Sequence, residues 1–235
     1  MDRVEGRLGR PRAHFRLTDS TNARAREFAS RGAPHGTLVT AAEQSAGRGR
    51  QGRTWSAPAG RALLCSIVVR EPPRLLPLVA GVAVAEVAGA EVAGADAMIK
   101  WPNDVLVGGR KVAGILVEAR MQEGWAVVGI GLNVALRPED FPPDLRDRAG
   151  TLGLESSAIE PTLAALLCTL GRWLAAGADE VLDAVRGRDA LLGREVRWAG
   201  RTGTGAGIDG SGRLVVRTDS GEVALDAGEV HLGGA

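Results

Sequence analysis

Segments with helix-like and strand-like patterns alternate along most of the chain, whereas only short strands with tight glycine turns follow after about Gly193. Capping side chains at 19–22 and sustained apolar segments predict helices at 23–30, 75–90, 161–176 and 179–192. Apolar runs between turn residues predict strands at 37–43, 63–70, 98–101, 105–107, 112–118, 125–134, 195–198, 203–208, 213–218 and 222–226. We therefore expect one large α+β domain at 1–190 and a small β-barrel at 191–235, with the boundary near Leu192.

Charge and apolar content exclude several classes of protein. Lys and Arg number 29 against 28 for Asp and Glu among 235 residues, so no overall basic field attracts nucleic acid. No run approaches the length of a membrane span, and the arginine-rich start lacks the apolar core of a signal peptide. The two cysteines, Cys65 and Cys168, stand in apolar runs and are predicted to be buried thiols. We expect a soluble cytoplasmic protein.

Residues Gly47–Trp55, here called the arginine strap, alternate glycine with arginine and end on tryptophan. Glycine lets the backbone approach a ligand closely, and arginine offers planar, permanently charged donors that suit phosphate and carboxylate. The strap lies between two predicted strands, which favours a binding loop. An RGG-like segment that binds nucleic acid has a similar pattern and stays an alternative.

A second group of polar residues surrounds the next predicted hairpin. Lys100-Trp101-Pro102-Asn103-Asp104 precedes its first strand, and Lys111 follows the Gly108-Gly109 turn. Pro-Asn-Asp is common turn chemistry, and a lysine on an apolar hairpin can simply extend to solvent. Together with the strap, however, these residues can supply the positive charge that an anionic substrate needs.

Four separated motifs resemble those of the biotin protein ligases, in the same order and spacing: Gly47–Trp55, Lys100–Asp104, Lys111–Glu118 (KVAGILVE) and Gly129–Val134 (GIGLNV). The resemblance extends from about Thr18 to the C-terminus. It implies a mixed-sheet catalytic domain of the class II synthetase type followed by an SH3-like barrel. It also implies that biotin and MgATP form biotinyl-5′-adenylate and pyrophosphate, and that a lysine of a biotin carboxyl carrier domain then displaces AMP.

The resemblance further implies partners and regulation. ATP and Mg²⁺ are the expected cofactors, without a fixed protein site for the metal. Only 17 residues precede Thr18, so the winged helix of longer bacterial members is expected to be absent, and with it DNA binding. A homodimer is expected because relatives often pair through their sheets.

Residue roles are also implied by the resemblance. The implied biotin contacts are Ser20, Thr21, Asn22, Gln44, Gly47, Arg48, Gly49, Arg50, Lys111 and Gly114, and the implied ATP contacts are Arg48, Arg50, Arg53, Trp55, Lys100, Asn103, Lys111 and Asn133. Lys111, Arg48 and Asp104 are the expected catalytic residues, with Lys111 between the carboxylate and the α-phosphate. For Ser20, Thr21 and Asn22 ordinary helix capping is the alternative, and for Trp55 it is anchoring of the loop in the core.

Two other functions compete with this interpretation. Lipoate protein ligases share the fold and the adenylate chemistry, but their arginine-glycine pattern differs from the strap. A non-catalytic module could instead grip nucleic acid with the strap. The balanced charge, three phenylalanines and five tryptophans do not favour an extensive stacking surface for bases.

Overall fold

A computed structural model describes residues 8–92, 96–226 and 230–232, and the predicted domain limits at residues 1 and 235 lie outside this part of the chain. In chain order the strands are β1 (Arg12–Phe15), β2 (Leu38–Ala41), β3 (Ala62–Arg70), β4 (Ala97–Lys100), β5 (Asp104–Val107), β6 (Arg110–Arg120), β7 (Trp125–Asn133), β8 (Glu195–Trp198), β9 (Arg201–Ile208), β10 (Leu214–Thr218), β11 (Gly221–Leu225) and β12 (His231–Leu232). The α-helices are α1 (Thr21–Ser30), α2 (Leu76–Glu91), α3 (Ile159–Ala175) and α4 (Ala178–Arg186).

The larger sheet is mixed. Its seven strands lie in the order β1-β2-β3-β7-β6-β5-β4, and only β1 and β2 pair in parallel. Helices α2, α3 and α4 cover one face and bury the main apolar core. Helix α2 is apolar around most of its circumference, as suits a helix enclosed by the sheet and its neighbours.

Helix α1 packs on the opposite face through small side chains. Ala25 and Ala29 contact Val39, Val68 and Val127 there, which brings the helix close to the strands. Because α1 covers only part of this face, the remainder is open to the arginine strap.

The second sheet is antiparallel, with five strands in the order β11-β10-β9-β8-β12. It contacts the first unit directly, since the Trp101 indole Nε1 donates a hydrogen bond to the Gly212 carbonyl at 3.0 Å and the Arg186 Nε donates to the Ile208 carbonyl at 3.0 Å. The mixed sheet with packed helices and the small barrel after it confirm the predicted fold class.

The structure corrects one helix boundary. Helix α4 ends at Arg186 rather than at 192. Beyond it the chain runs beside β4, where the Ile99 amide donates to the Arg188 carbonyl at 2.7 Å and the Ala190 amide donates to the Ile99 carbonyl at 3.0 Å. Pairing with a distant strand therefore takes precedence over the local helical pattern.

Two strands and one thiol also differ from expectation. Strand β1, whose residues are at most half-buried, and the two-residue β12 carry too little apolar pattern to be recognised. Cys65 is buried, and burial raises the pKa of its thiol to about 12. The prediction that Cys168 is buried was wrong, because its position on α3 faces away from the buried side of that helix.

Candidate functional site

A cavity lies on the α1 side of the larger sheet, between that helix, the arginine strap and the start of β5. The structure brings most of the predicted site residues into its lining: Ser20, Thr21, Asn22, Gln44, Arg48, Gly49, Arg50, Arg53, Trp55, Lys100, Asn103, Asp104, Lys111 and Gly114.

Two predicted site residues do not line this cavity. Gly47 lies at the base of the strap, where an added methyl group would overlap the Trp55 carbonyl and lie 2.8 Å from Gln44 Nε2. Asn133 is buried, and its side-chain amide donates to the Gly150 carbonyl at 2.8 Å. Its observed contact holds the segment that follows β7, and it gives no support for a contact with nucleotide.

One end of the cavity is neutral and rich in hydrogen-bonding groups. Ser20 is the residue before α1, yet its side chain makes no capping hydrogen bond. Instead the Thr21 backbone amide and hydroxyl both donate to Gln44 Oε1, at 2.7 and 3.1 Å. The buried Ser66 hydroxyl lies 2.8 Å from Thr21 Oγ1 and 2.6 Å from Asn22 Oδ1. These side chains form a polar network at this neutral end, here called the closed end because Thr21, Asn22 and Ser66 are buried there. Helix capping alone does not account for these contacts.

The floor of the cavity needs residues without side chains. A methyl group on Gly131 would overlap the Trp55 ring, and one on Gly114 would lie 2.9 Å from the same ring. The Trp55 ring therefore packs directly on the backbone of β6 and β7. Its indole Nε1 is buried and has no hydrogen-bond partner in the part of the chain that the structure describes.

The other end of the cavity is cationic. Lys111 Nζ lies 2.7 Å from Asp104 Oδ1 and 5.7 Å from the centre of the Trp55 ring. Asp104 is the one acidic residue in the cavity lining that the structure describes, and its side chain is only 13% exposed. The positive charge of this end therefore exceeds the negative charge, which suits an anionic ligand.

Burial lowers the pKa of two of these cations. Desolvation lowers the pKa of Lys100, opposed by the charge of Asp104 and reinforced by the charge of Lys111. Desolvation also lowers the pKa of Arg50, again opposed by Asp104. A bound phosphate or carboxylate would offset both effects, because it would favour the charged forms.

The arginine strap is a small hairpin closed over the cavity. The Gly49 amide donates to the Arg53 carbonyl at 2.7 Å, and the turn places Gln51 in the left-handed region at φ 55°. From this hairpin Arg50 Nη1 reaches across the cavity to Asn103 Oδ1 at 3.0 Å. The strap thus bridges the two clusters that the sequence had separated.

Several lining residues were not predicted. Three of them, Ile115, Leu116 and Ile130, belong to the strands that carry the motifs, so they could have been inferred from the motif positions. Val230 belongs to the barrel, and no motif indicated it. Ser66 stands in an apolar strand without a motif, and only the packing of α1 on β3 reveals its contacts.

The described residues contain no group of three or more His, Cys, Asp or Glu side chains placed to hold a metal ion. The cavity itself offers a single carboxylate, which already contacts Lys111. Nor does any helix in the described ranges have the length and apolar character needed to cross a membrane.

Comparison with known proteins matches both units. The model of the biotin/lipoate A/B protein ligase family covers residues 14–134, and that of the biotin protein ligase C-terminal domain covers 191–233. The biotin–[acetyl-CoA-carboxylase] ligase of Paracoccus denitrificans is 37% identical over 92% of this chain and 98% of its own length. The matched segment spans only 47% of the bifunctional ligase/repressor BirA of Bacillus subtilis, with 38% identity over 62% of this chain.

Solved structures agree with these matches. The biotin protein ligase of Aquifex aeolicus in complex with biotin and ATP superposes with a TM-score of 0.82, at 29% identity, covering 95% of this chain and 98% of that one. Family, fold and the order of the two units therefore coincide, and the resemblance seen in the motifs is confirmed. The chain belongs to the biotin/lipoate A/B protein ligase family.

Proposed function

We propose that the protein is a biotin protein ligase that adenylates biotin with MgATP and transfers the biotinyl group to a lysine of a biotin carboxyl carrier domain. The observation that carries this proposal is a cavity in which a neutral hydrogen-bonding end (Thr21, Asn22 and Gln44) joins a cationic end (Lys100 and Lys111). Such a cavity suits an acid with a polar, uncharged head group whose carboxylate must meet a phosphate. The Aquifex aeolicus relative was solved with biotin and ATP.

The first half-reaction brings together two anions, a carboxylate and the α-phosphate of ATP. Their repulsion has to be neutralised and the reacting atoms held in line. Lys111 in the cationic end and Arg48 of the strap both line the cavity, so we assign these two residues to the charge that develops in the transition state. Arg53, Lys100 and Asn103 are assigned to the nucleotide.

Magnesium is assigned to the nucleotide rather than to a protein site. Mg²⁺ prefers oxygen ligands in octahedral geometry and is commonly held by substrate phosphates with few carboxylates. The single lining carboxylate, Asp104, is engaged by Lys111 at 2.7 Å. Bound Mg²⁺ would neutralise phosphate charge, while the residues of this chain position the acid.

The strap is assigned a protective role. A mixed anhydride of biotin and AMP is readily hydrolysed, and a loop closed over it excludes water. The hydrogen bond between Arg50 and Asn103 closes the hairpin over the cavity. The barrel, which we propose spans 191–235 beside a catalytic unit of 1–190, contributes Val230 to the same lining.

Replacing Arg50 with glycine is expected to speed release of the adenylate about 10-fold or more, because the variant loses the contact with Asn103 and a cation near the phosphate. Labelling of a bystander protein checks this. The only lysines of the chain, Lys100 and Lys111, both line the cavity, so the enzyme has no lysine elsewhere that would compete as an acceptor. Adenylate retention equal to that of the unmodified enzyme, measured by filtration after preloading, would rule the role out.

Asp104 is assigned to the second half-reaction, where the incoming lysine must lose a proton. If Asp104 accepts that proton, Asp104→Asn should slow transfer from preformed adenylate about 10²-fold, and adenylate synthesis much less. Rapid-mixing assays of the two half-reactions separate these effects. Equal losses in both steps would instead assign Asp104 to positioning of Lys111.

The function is tested by incubating the protein with MgATP, a biotin carboxyl carrier domain and either biotin or lipoate, followed by intact mass of the carrier. We expect a biotin-sized addition that depends on ATP. If lipoate is attached and biotin is not, the protein is a lipoate ligase within the same family. No addition with either acid, with the protein folded, would contradict the proposal and favour a binding module. The expected homodimer is checked separately by light scattering.

A further inference from the structure

The amide of Asn22 spans three neighbouring strands at the closed end of the cavity. Its Nδ2 donates to the Leu116 carbonyl at 3.3 Å and to Glu118 Oε2 at 2.8 Å, both on β6. Its Oδ1 faces Ser66 on β3 at 2.6 Å. Between them lies Gly129 on β7, where a methyl group would overlap the amide. The amide can therefore lie against the backbone of β7 because Gly129 has no side chain.

The closed end of the cavity contains more hydrogen-bond acceptors than hydrogens available to them. Ser66 has one hydroxyl hydrogen but lies within reach of two oxygens, Thr21 Oγ1 at 2.8 Å and Asn22 Oδ1 at 2.6 Å. The Thr21 hydroxyl hydrogen is directed to Gln44 Oε1. One of the two oxygens is thus left without a donor at any moment. Thr21 and Asn22 both line the cavity, so an N–H group of a ligand can supply the missing donor.

Two acceptors on β6 fix the orientation of the Asn22 amide. A flipped amide would point its oxygen at two acceptors, the Leu116 carbonyl and the Glu118 carboxylate, which is unfavourable. Arg26 Nη1 holds the other carboxylate oxygen, Glu118 Oε1, at 2.8 Å, and the Glu118 side chain is 25% exposed. The ion pair keeps the carboxylate aligned with the amide.

We infer that Glu118 is a positioning residue for head-group specificity: it fixes the Asn22 amide with its oxygen toward the ligand, and so selects an acid whose ring carries N–H donors. The inference rests on the proposed function. The cyclic urea of biotin offers two N–H donors, whereas the dithiolane ring of lipoate offers none. Loss of the carboxylate therefore weakens recognition of the urea without touching the nucleotide end.

The test uses biotin-dependent ATP–pyrophosphate exchange with the full chain, measuring KM for biotin, KM for ATP and kcat. Glu118→Leu is expected to raise the KM for biotin, and for desthiobiotin with the same urea, about 10- to 100-fold. The KM for ATP should stay within about 2-fold. Glu118→Gln keeps an acceptor for Asn22 and should restore the KM for biotin to within about 3-fold. Glu27→Leu, an exposed acid on the same helix as Asn22, is the matched control.

An unchanged KM for biotin in Glu118→Leu would overturn the inference, as would equal changes in all three parameters without rescue by glutamine. If Glu118→Leu does not fold, Arg26→Met decides the question, since it frees the carboxylate without altering the cavity. We expect that variant to raise the KM for biotin about 3- to 10-fold, and no change would refute the role. Absence of exchange in the unmodified protein would instead refute the proposed function itself.

Discussion

Replacing Lys111 with alanine is expected to slow adenylate formation about 10²- to 10³-fold while the protein stays folded. The ammonium group lies in the cationic end of the cavity, 2.7 Å from Asp104 Oδ1. Alanine cannot stabilise charge that builds up between carboxylate and phosphate. The fold should survive because Lys111 is 32% exposed and because Lys100 and Arg50 still act on the Asp104 charge. We expect a stability loss of about 1 kcal/mol.

Single-turnover adenylation, with thermal unfolding in parallel, measures both quantities. Arg110→Ala is the matched control, because Arg110 precedes Lys111 in β6 but is exposed and does not line the cavity. The control should adenylate biotin at the rate of the unmodified protein. Adenylation by Lys111→Ala at that same rate would remove Lys111 from the catalytic assignment. Loss of folding would identify the ion pair with Asp104 as chiefly structural.

Adding one methyl group at Gly129 is expected to weaken biotin binding about 100-fold. The methyl group would occupy the position of the Asn22 amide, which would have to leave its contacts with Ser66 and Glu118. The displaced amide loses its hydrogen bonds, and its side chain then blocks the closed end of the cavity. Nucleotide binding should change little, since Lys100 and Asn103 belong to the other end.

Calorimetric titration of biotin into Gly129→Ala checks this expectation. Gly89→Ala is the control, since a methyl group there lies 3.5 Å from Ala97 Cβ, an ordinary contact, and replaces a glycine within helix α2. That control should bind biotin normally and gain up to about 1 kcal/mol of stability. Normal biotin affinity in Gly129→Ala would mean that Asn22 is not part of the head-group pocket.

The sequence was sufficient to predict the strands that carry strong apolar runs, such as β3 and β7. It was also sufficient to recognise the family, because four motifs occur in the order and spacing typical of it. Most of the cavity lining could also be predicted, since each motif lies at the end of a strand or in a loop on the same face of the larger sheet. Local pattern failed where pairing with distant chain segments decides the conformation. The segment after Arg186 pairs with Ile99 rather than continuing α4, and β1 adds to an edge with little burial.

The contacts that Ser66 and Glu118 make in the polar network could not be predicted from the sequence. In the sequence, Ser66 is one polar residue within the predicted strand 63–70, and Glu118 is the last residue of the predicted strand 112–118. Their roles depend on Asn22 reaching over Gly129 from another element, a contact that joins positions far apart in the chain. The contact of the Asn133 amide with the Gly150 carbonyl could not be predicted from its motif either, and its contact with the nucleotide stays a prediction.

The most direct test of the account is exchange of labelled pyrophosphate into ATP by the purified protein without any carrier domain. We expect exchange that requires biotin and Mg²⁺, is lost in Lys111→Ala and is not supported by lipoate. Folded protein that shows no exchange with biotin, or exchange with lipoate alone, would contradict the claim that this cavity joins biotin to AMP.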